Sequence, residues 1–222
     1  MKRTLLAGEA KSGLIQAILA YVIFCGLSGL SRLVPALFFL TVAIGIAFPL
    51  VWAKLHRDWE SIGFTRRKRV QAFVWGLSAG LVGVLYIVLS SRSQTYPEAP
   101  LFTLQLAIGV FIACLILSPF QEFFFRGWLQ PRFEKALGRW WGLLVTALSF
   151  TVWHFCPPFE GTPTSSIPVT SVSGALTTLV MGLVFGYIFD RTGNILAPWL
   201  AHALMIIGLV VVGAMSFIQY SP

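Results

Sequence analysis

The sequence predicts an all-α polytopic membrane protein: a bundle of about seven transmembrane helices, with an amphipathic segment near 120–139 at the inner surface. Three observations carry this. Only 11% of the 222 residues are charged and 57% are hydrophobic, with mean hydropathy +0.81, whereas a soluble domain is about 25% charged. The charges divide the chain into uncharged stretches at 12–31, 33–53, 70–91, 99–121, 140–159, 161–189 and 192–222. Each is about the 20 residues that a helix needs to cross the hydrocarbon core. Finally, the positive charges collect on alternate connections between these stretches. Backbone in lipid must satisfy its own polar groups, which leaves helices as the architecture for such stretches.

The elements follow in order. The first span, 13–31, comes after MKRTLLAGEAKSG. Its apolar run exceeds the 7–15 residues of a signal-peptide core, and no small-x-small cleavage site follows, so it is read as a retained helix. The second span is 33–53. Residues 54–71, KLHRDWESIGFTRRKRVQ, form a basic linker to the third, 72–91. The fourth is 101–121. The segment 120–139 is aromatic, basic and amphipathic, and Pro131 is expected to break or kink it, turning it back along the inner interface. The fifth span is 140–156. Residues 157–170, PPFEGTPTSSIPVT, lack an apolar period and read as an external loop. The sixth span is 171–189. In the turn DRTGN, 190–194, Gly193 suits a helix C-terminus and Asn194 the next N-cap. The seventh span is 195–216. No internal or inverted repeat is evident, which argues against a transporter, and one domain, 1–222, fits the length.

With the N-terminus cytoplasmic, the inside segments hold Lys2, Arg3, Lys11, Lys54, Arg57, Arg66, Arg67, Lys68, Arg69, Arg126, Arg132, Lys135, Arg139 and Arg191. The outside segments hold Arg32 and Arg92 alone. This bias fixes the expected topology: multi-pass, N-terminus inside, C-terminus outside, as in a bacterial plasma membrane. The cluster RRKR at 66–69 then faces an anionic lipid leaflet rather than nucleic acid. Cys25, Cys114 and Cys156 show neither a disulfide framework nor ligand spacing. Cys156 lies two residues from His154, which raises a thiol nucleophile as a minor alternative.

Polar and ionisable residues inside spans are costly and commonly functional. Here they are few: Gln121, Glu122 and Arg126 at the end of the fourth span, His154 in the fifth and His202 in the seventh. His56 lies in the linker and is expected to be solvated. Glu122 and Arg126, at i and i+4, share a helix face. They could form a structural ion pair, or Arg126 could hold the carboxylate for proton transfer in an apolar pocket. Two histidines and a carboxylate are also the ligand set of some catalytic zinc sites. No HExxH spacing places two ligands on one helix, so no metal or other cofactor is expected.

Over roughly residues 100–210, the chain resembles the CAAX prenyl protease and bacteriocin-processing (CPBP, or Abi) family of intramembrane proteases. The resemblance rests on QEFFFRGWLQPRFEKALG from Gln121, on FTVWH from Phe150 to His154, and on TGNILAPWLAHALMI with His202. The family patterns are EExxxR, FxxxH, and a late histidine followed four residues on by Asn. The resemblance implies an endopeptidase that cuts a membrane-anchored or lipid-modified protein or peptide. A glutamate would activate water, His154 would orient the water or polarise the carbonyl, His202 would add a polar contact, and Arg126 would position the first motif. Two positions depart from the family: Gln121 stands where it has its first glutamate, and Ile206 where it has Asn. Three readings of Gln121 stand open: a deliberate inactivating replacement, Glu122 serving as base, or a non-proteolytic relative acting as a membrane scaffold.

Counted from these spans, His154 lies about 21 Å deeper than Glu122. The site can assemble only if the fourth helix continues past residue 122, or if the fifth is tilted or begins outside the core. The first is expected, with 120–130 helical, sunk into the bundle, and Phe123, Phe124 and Phe125 packed.

Overall fold

The computed structural model describes residues 2–90, 99–156 and 171–217; the loop expected at 157–170 lies outside them. Among the described residues there are helices and turns and no strands. The helices are α1 (Lys2–Leu30), α2 (Ala36–His56), α3 (Arg69–Ser90), α4 (Ala99–Ile112), α5 (Ser118–Glu122), α6 (Gln130–Leu137), α7 (Arg139–His154), α8 (Val172–Thr192) and α9 (Leu196–Val211). Helices α4, α5 and α6 are joined without a break by two π-helical turns, Ala113–Leu117 and Phe123–Leu129. The described residues therefore make seven helical rods.

Five of these are long and apolar enough to span a bilayer: Ala10–Leu30, Ala36–His56, Arg69–Ser90, Leu101–Leu137 and Val172–Thr192. The fifth and seventh expected spans form shorter helices of 16 residues each, α7 and α9. At about 24 Å they fall short of the roughly 30 Å hydrocarbon core. These two helices carry His154 and His202.

The expected break at Pro131 does not occur. Pro131 sits inside α6, and the rod runs on to Gly138, where φ of +84° turns the chain into α7. A proline lacks the N–H for the i−4 bond and its ring crowds that carbonyl. Here Pro119 and Pro131, the prolines in the interior of the rod, each follow a π turn by one residue. The Ser118 N–H bonds back to the Ala113 carbonyl just before Pro119, and the Gln130 N–H bonds back to the Phe125 carbonyl just before Pro131. The wider i→i+5 ring shifts the register ahead of the proline, so the helix continues instead of turning along the interface. Residues 118–130 are consequently buried, and only α6 keeps the amphipathic character expected of 120–139.

The three phenylalanines pack as expected, in different directions. Phe124 stacks on Phe24 at 4.1 Å, and Phe125 meets Phe150 edge-on at 5.2 Å. Phe123 packs with Phe189, Ile195 and Trp199. Successive helical residues point about 100° apart, so a segment buried on three successive positions is enclosed all round. Lipid-facing positions carry exposed apolar residues such as Leu19, Val22, Leu81 and Leu85.

One end of the bundle is basic and tied together. Asn194 Nδ2 donates to the carbonyls of Thr65 and Arg67, and the Ile195 N–H donates to Gly63. Lys68 Nζ donates to the Arg191 carbonyl, and Arg139 pairs with Asp190. The connections α2–α3, α6–α7 and α8–α9 therefore share one face, as the charge pattern expects. Gly193 (φ +60°) closes α8, and Asn194 Oδ1 accepts from the Leu196 N–H at the start of α9. Exposed Trp140 and Trp141 lie at this end, where amphipathic rings favour the membrane interface.

Close approach of α2 to the buried rod depends on Gly45, where a Cβ would lie 2.6 Å from the Phe120 carbonyl oxygen. At Gly26 a Cβ would meet nothing within 4 Å. Gly45→Leu is expected to destabilise the fold by about 1–3 kcal/mol, while Gly26→Ala leaves it unchanged or slightly more stable. Unfolding titrations in mixed detergent micelles check this, and equal midpoints would remove the account of α2 packing.

Candidate active site

The site is built on the long rod. Glu122 ends α5, and Arg126 follows one turn on, inside the second π turn. Both side chains are fully buried. Glu122 Oε1 accepts from Arg126 Nη1 at 3.1 Å and from His202 Nδ1 at 2.7 Å. Arg126 Nη2 donates to the Gly182 carbonyl of α8 at 3.3 Å. The guanidinium carbon lies 4.2 Å from the centroid of the Phe150 ring and 5.3 Å from that of Phe185. Buried charges persist when they are paired, hydrogen-bonded and covered by compatible groups. A Cβ at Gly182 would lie 3.1 Å from Ala147, so the absence of a side chain lets α8 approach α7 and offer its carbonyl.

Gly138 lies sixteen positions after Glu122 and sixteen positions before His154. Because α7 runs back antiparallel to the rod, the two positions arrive at similar depth. That resolves the 21 Å offset in favour of the continuing fourth helix. His154 Nδ1 lies 2.8 Å from the Phe150 carbonyl. A carbonyl only accepts, so Nδ1 carries the hydrogen and Nε2 is the ring's acceptor. The same reasoning makes His202 Nδ1 the donor to Glu122 and its Nε2 the acceptor.

The structure thus joins Glu122, Arg126 and His202 directly. His154 stands beside them across Phe150, whose ring centroid is 4.5 Å from that of His154 and 6.1 Å from that of His202. Gln121 is buried next to Glu122. Among the described residues, Gln121 Oε1, Glu122 Oε2 and Arg126 Nε are buried without a hydrogen-bond partner. Each such atom costs about 1–3 kcal/mol, and proteins keep few of them away from functional sites. Ile206, one turn beyond His202, is buried and apolar. His56 is exposed at the end of α2, stacked on Trp52. Arg126, placed by the charge count on an inside loop, is instead enclosed in the bundle, because the rod carries it inward.

Residues 102–207 match the family described as Type II CAAX prenyl endopeptidase Rce1-like. The matched segment is just under half of the chain. It contains the whole cluster, from Gln121 to Ile206. No curated protein and no solved structure matches the chain.

Two members of the Rce1-like segment's site are not signalled by the sequence motifs. Gly182 contributes a backbone carbonyl, which no side-chain pattern reveals. Phe185 lies 5.2 Å from His202, ring to ring, and only its position one turn after Gly182 hints at it. Among the described residues, no three His, Cys, Asp or Glu side chains are grouped as a metal site.

Removing one partner of a buried ion pair leaves an uncompensated charge. Arg126→Ala is expected to cost about 3–5 kcal/mol of stability. Arg126→Met with Glu122→Leu in one chain is expected to cost much less. Unfolding in mixed micelles measures both, and a single variant no less stable than the double would contradict the pairing.

Proposed function

We propose that the chain is an intramembrane endopeptidase acting on a membrane-anchored or lipid-modified protein or peptide. The observation that carries this reading is the 2.7 Å contact between Glu122 Oε1 and His202 Nδ1, made by distant segments inside an apolar bundle and flanked by His154. The Rce1-like match supports the reaction class.

Peptide hydrolysis requires a base that takes a proton from water as its oxygen bonds the carbonyl carbon. Gln121 can orient water through Oε1, which lacks a partner, but its amide cannot accept a proton. Glu122 is enclosed, with Oε1 engaged by two donors. We assign the base to His202: Glu122 holds its Nδ1–H, so Nε2 faces the reaction and the imidazolium formed lies against a carboxylate. His154 Nε2 accepts a second hydrogen bond from the attacking water. The proton then passes to the leaving amine as the tetrahedral intermediate collapses. Arg126 and Phe150 position Glu122 and the imidazoles. Ile206 offers no donor to the oxyanion, a lack that can cost about 10²–10³ in rate. The substrate segment enters sideways from the lipid. The basic end faces the cytoplasm of a bacterial cell, with the N-terminus inside and the C-terminus outside. Neither nucleic acid nor a cofactor takes part.

A second reading, a membrane scaffold that has lost the chemistry, is favoured by Gln121 and Ile206 together. Peptide cleavage by the purified chain and its variants separates the two. Gln121→Glu is expected to raise the rate by about 10²–10⁴, and adding Ile206→Asn to raise it further. His202→Ala and Glu122→Ala are expected to abolish cleavage. If neither the chain nor Gln121→Glu cuts any membrane-anchored or prenylated peptide tested, the scaffold reading replaces this one.

A further inference from the structure

The cysteines form no pattern in the sequence, yet helix docking brings two of them into one neighbourhood. Tyr21, Cys25 and Ser28 lie on one face of α1, at intervals of four and three residues. Both flanking residues are bonded to the C-terminal part of α7. The Tyr21 hydroxyl donates to the Ser149 carbonyl at 2.8 Å, and Ser28 Oγ donates to the Cys156 carbonyl at 2.7 Å. Cys25 sits between these two anchors, on the face of α1 that packs against the end of α7 where Cys156 lies. Both cysteines are half-buried and carry free thiols, and Cys114 is a third free thiol elsewhere. The pair lies at the end of the bundle opposite the basic connections, the end that the positive-inside rule places away from the cytoplasm. Disulfides form and persist on that side of a membrane.

We propose that Cys25 and Cys156 are an oxidation site that closes to a disulfide linking α1 to the end of α7. The oxidant is an external disulfide, carried by a protein or a small thiol. One cysteine thiolate attacks a sulfur of the external disulfide, forming a mixed disulfide and expelling one thiolate. The second cysteine thiolate attacks the protein sulfur of that intermediate, forming the Cys25–Cys156 bond and expelling the other. Two protein thiols are oxidised, one external disulfide is reduced to two thiols, and the two protons end on the leaving thiols. The bond fastens α1 two residues beyond His154. It stands on the geometry of α1 and α7 and does not depend on the assigned reaction.

The test uses the full chain carrying Cys114→Ser, in micelles, equilibrated with oxidised glutathione, quenched in acid and unfolded in detergent. Labelling with a polyethylene-glycol maleimide is then compared with and without prior reduction. The expected result is complete loss of labelling before reduction, two labels after it, and an intact mass lower by two hydrogen atoms. Two labels without reduction, a glutathione adduct on either thiol, or a covalent dimer would each overturn the proposal. A chain carrying Cys25→Ser and Cys114→Ser is expected to lose the protected state and hold a glutathione adduct on its remaining thiol. Protection of that thiol with no adduct would also count against the pair.

Discussion

One carboxylate oxygen organises the centre of this molecule. Glu122 Oε1 takes a guanidinium from its own helix and an imidazole from α9, so the long rod and the last helix are bound at a point lacking solvent. An ionised group in such surroundings survives only with compensation, and every neighbour supplies some: the Gly182 carbonyl holds the far side of Arg126, and two aromatic faces cover it. The glycine that frees the carbonyl also sets the spacing of α7 and α8. Arg126 therefore couples local charge balance to the placement of three helices, which explains why a residue with no expected part in bond breaking is fully buried.

The rod that carries this centre exists because two prolines are accommodated rather than obeyed. Each is preceded by a turn of wider winding that absorbs the missing donor. The same turns bracket the short α5 that presents Gln121 and Glu122, so the device that keeps the helix continuous also decides which way those side chains point. Single π turns inside α-helices are a recurring arrangement, and here their local cause can be named.

Much of this is legible in the sequence. Seven uncharged stretches give seven helical rods among the described residues, and the basic connections do gather at one end. Glu122 and Arg126 are legible as a pair because helical spacing alone brings them together, and His202 because an ionisable residue in an apolar run needs a reason to be there. The path of residues 120–139 is not legible: proline chemistry argues for a break, and the compensating π turns depend on tertiary burial rather than on local propensity. The nearness of Cys25 to the end of α7 is equally hidden, since it arises from helix docking across most of the chain. Nor could spacing show that the Phe150 ring lies against both His154 and His202.

The hairpin about Gly138 carries a consequence for how this chain can vary. Glu122 and His154 are level because equal lengths of helix lie on either side of the turn. Deleting or inserting a single residue in one arm would swing everything beyond it by about 100° and slide it by about 1.5 Å. The two arms are thus a matched pair of rulers. Lineages that lengthen one must lengthen the other in the same step or take up the difference as another bulge, which makes this stretch a place where gaps in related sequences should arrive in twos.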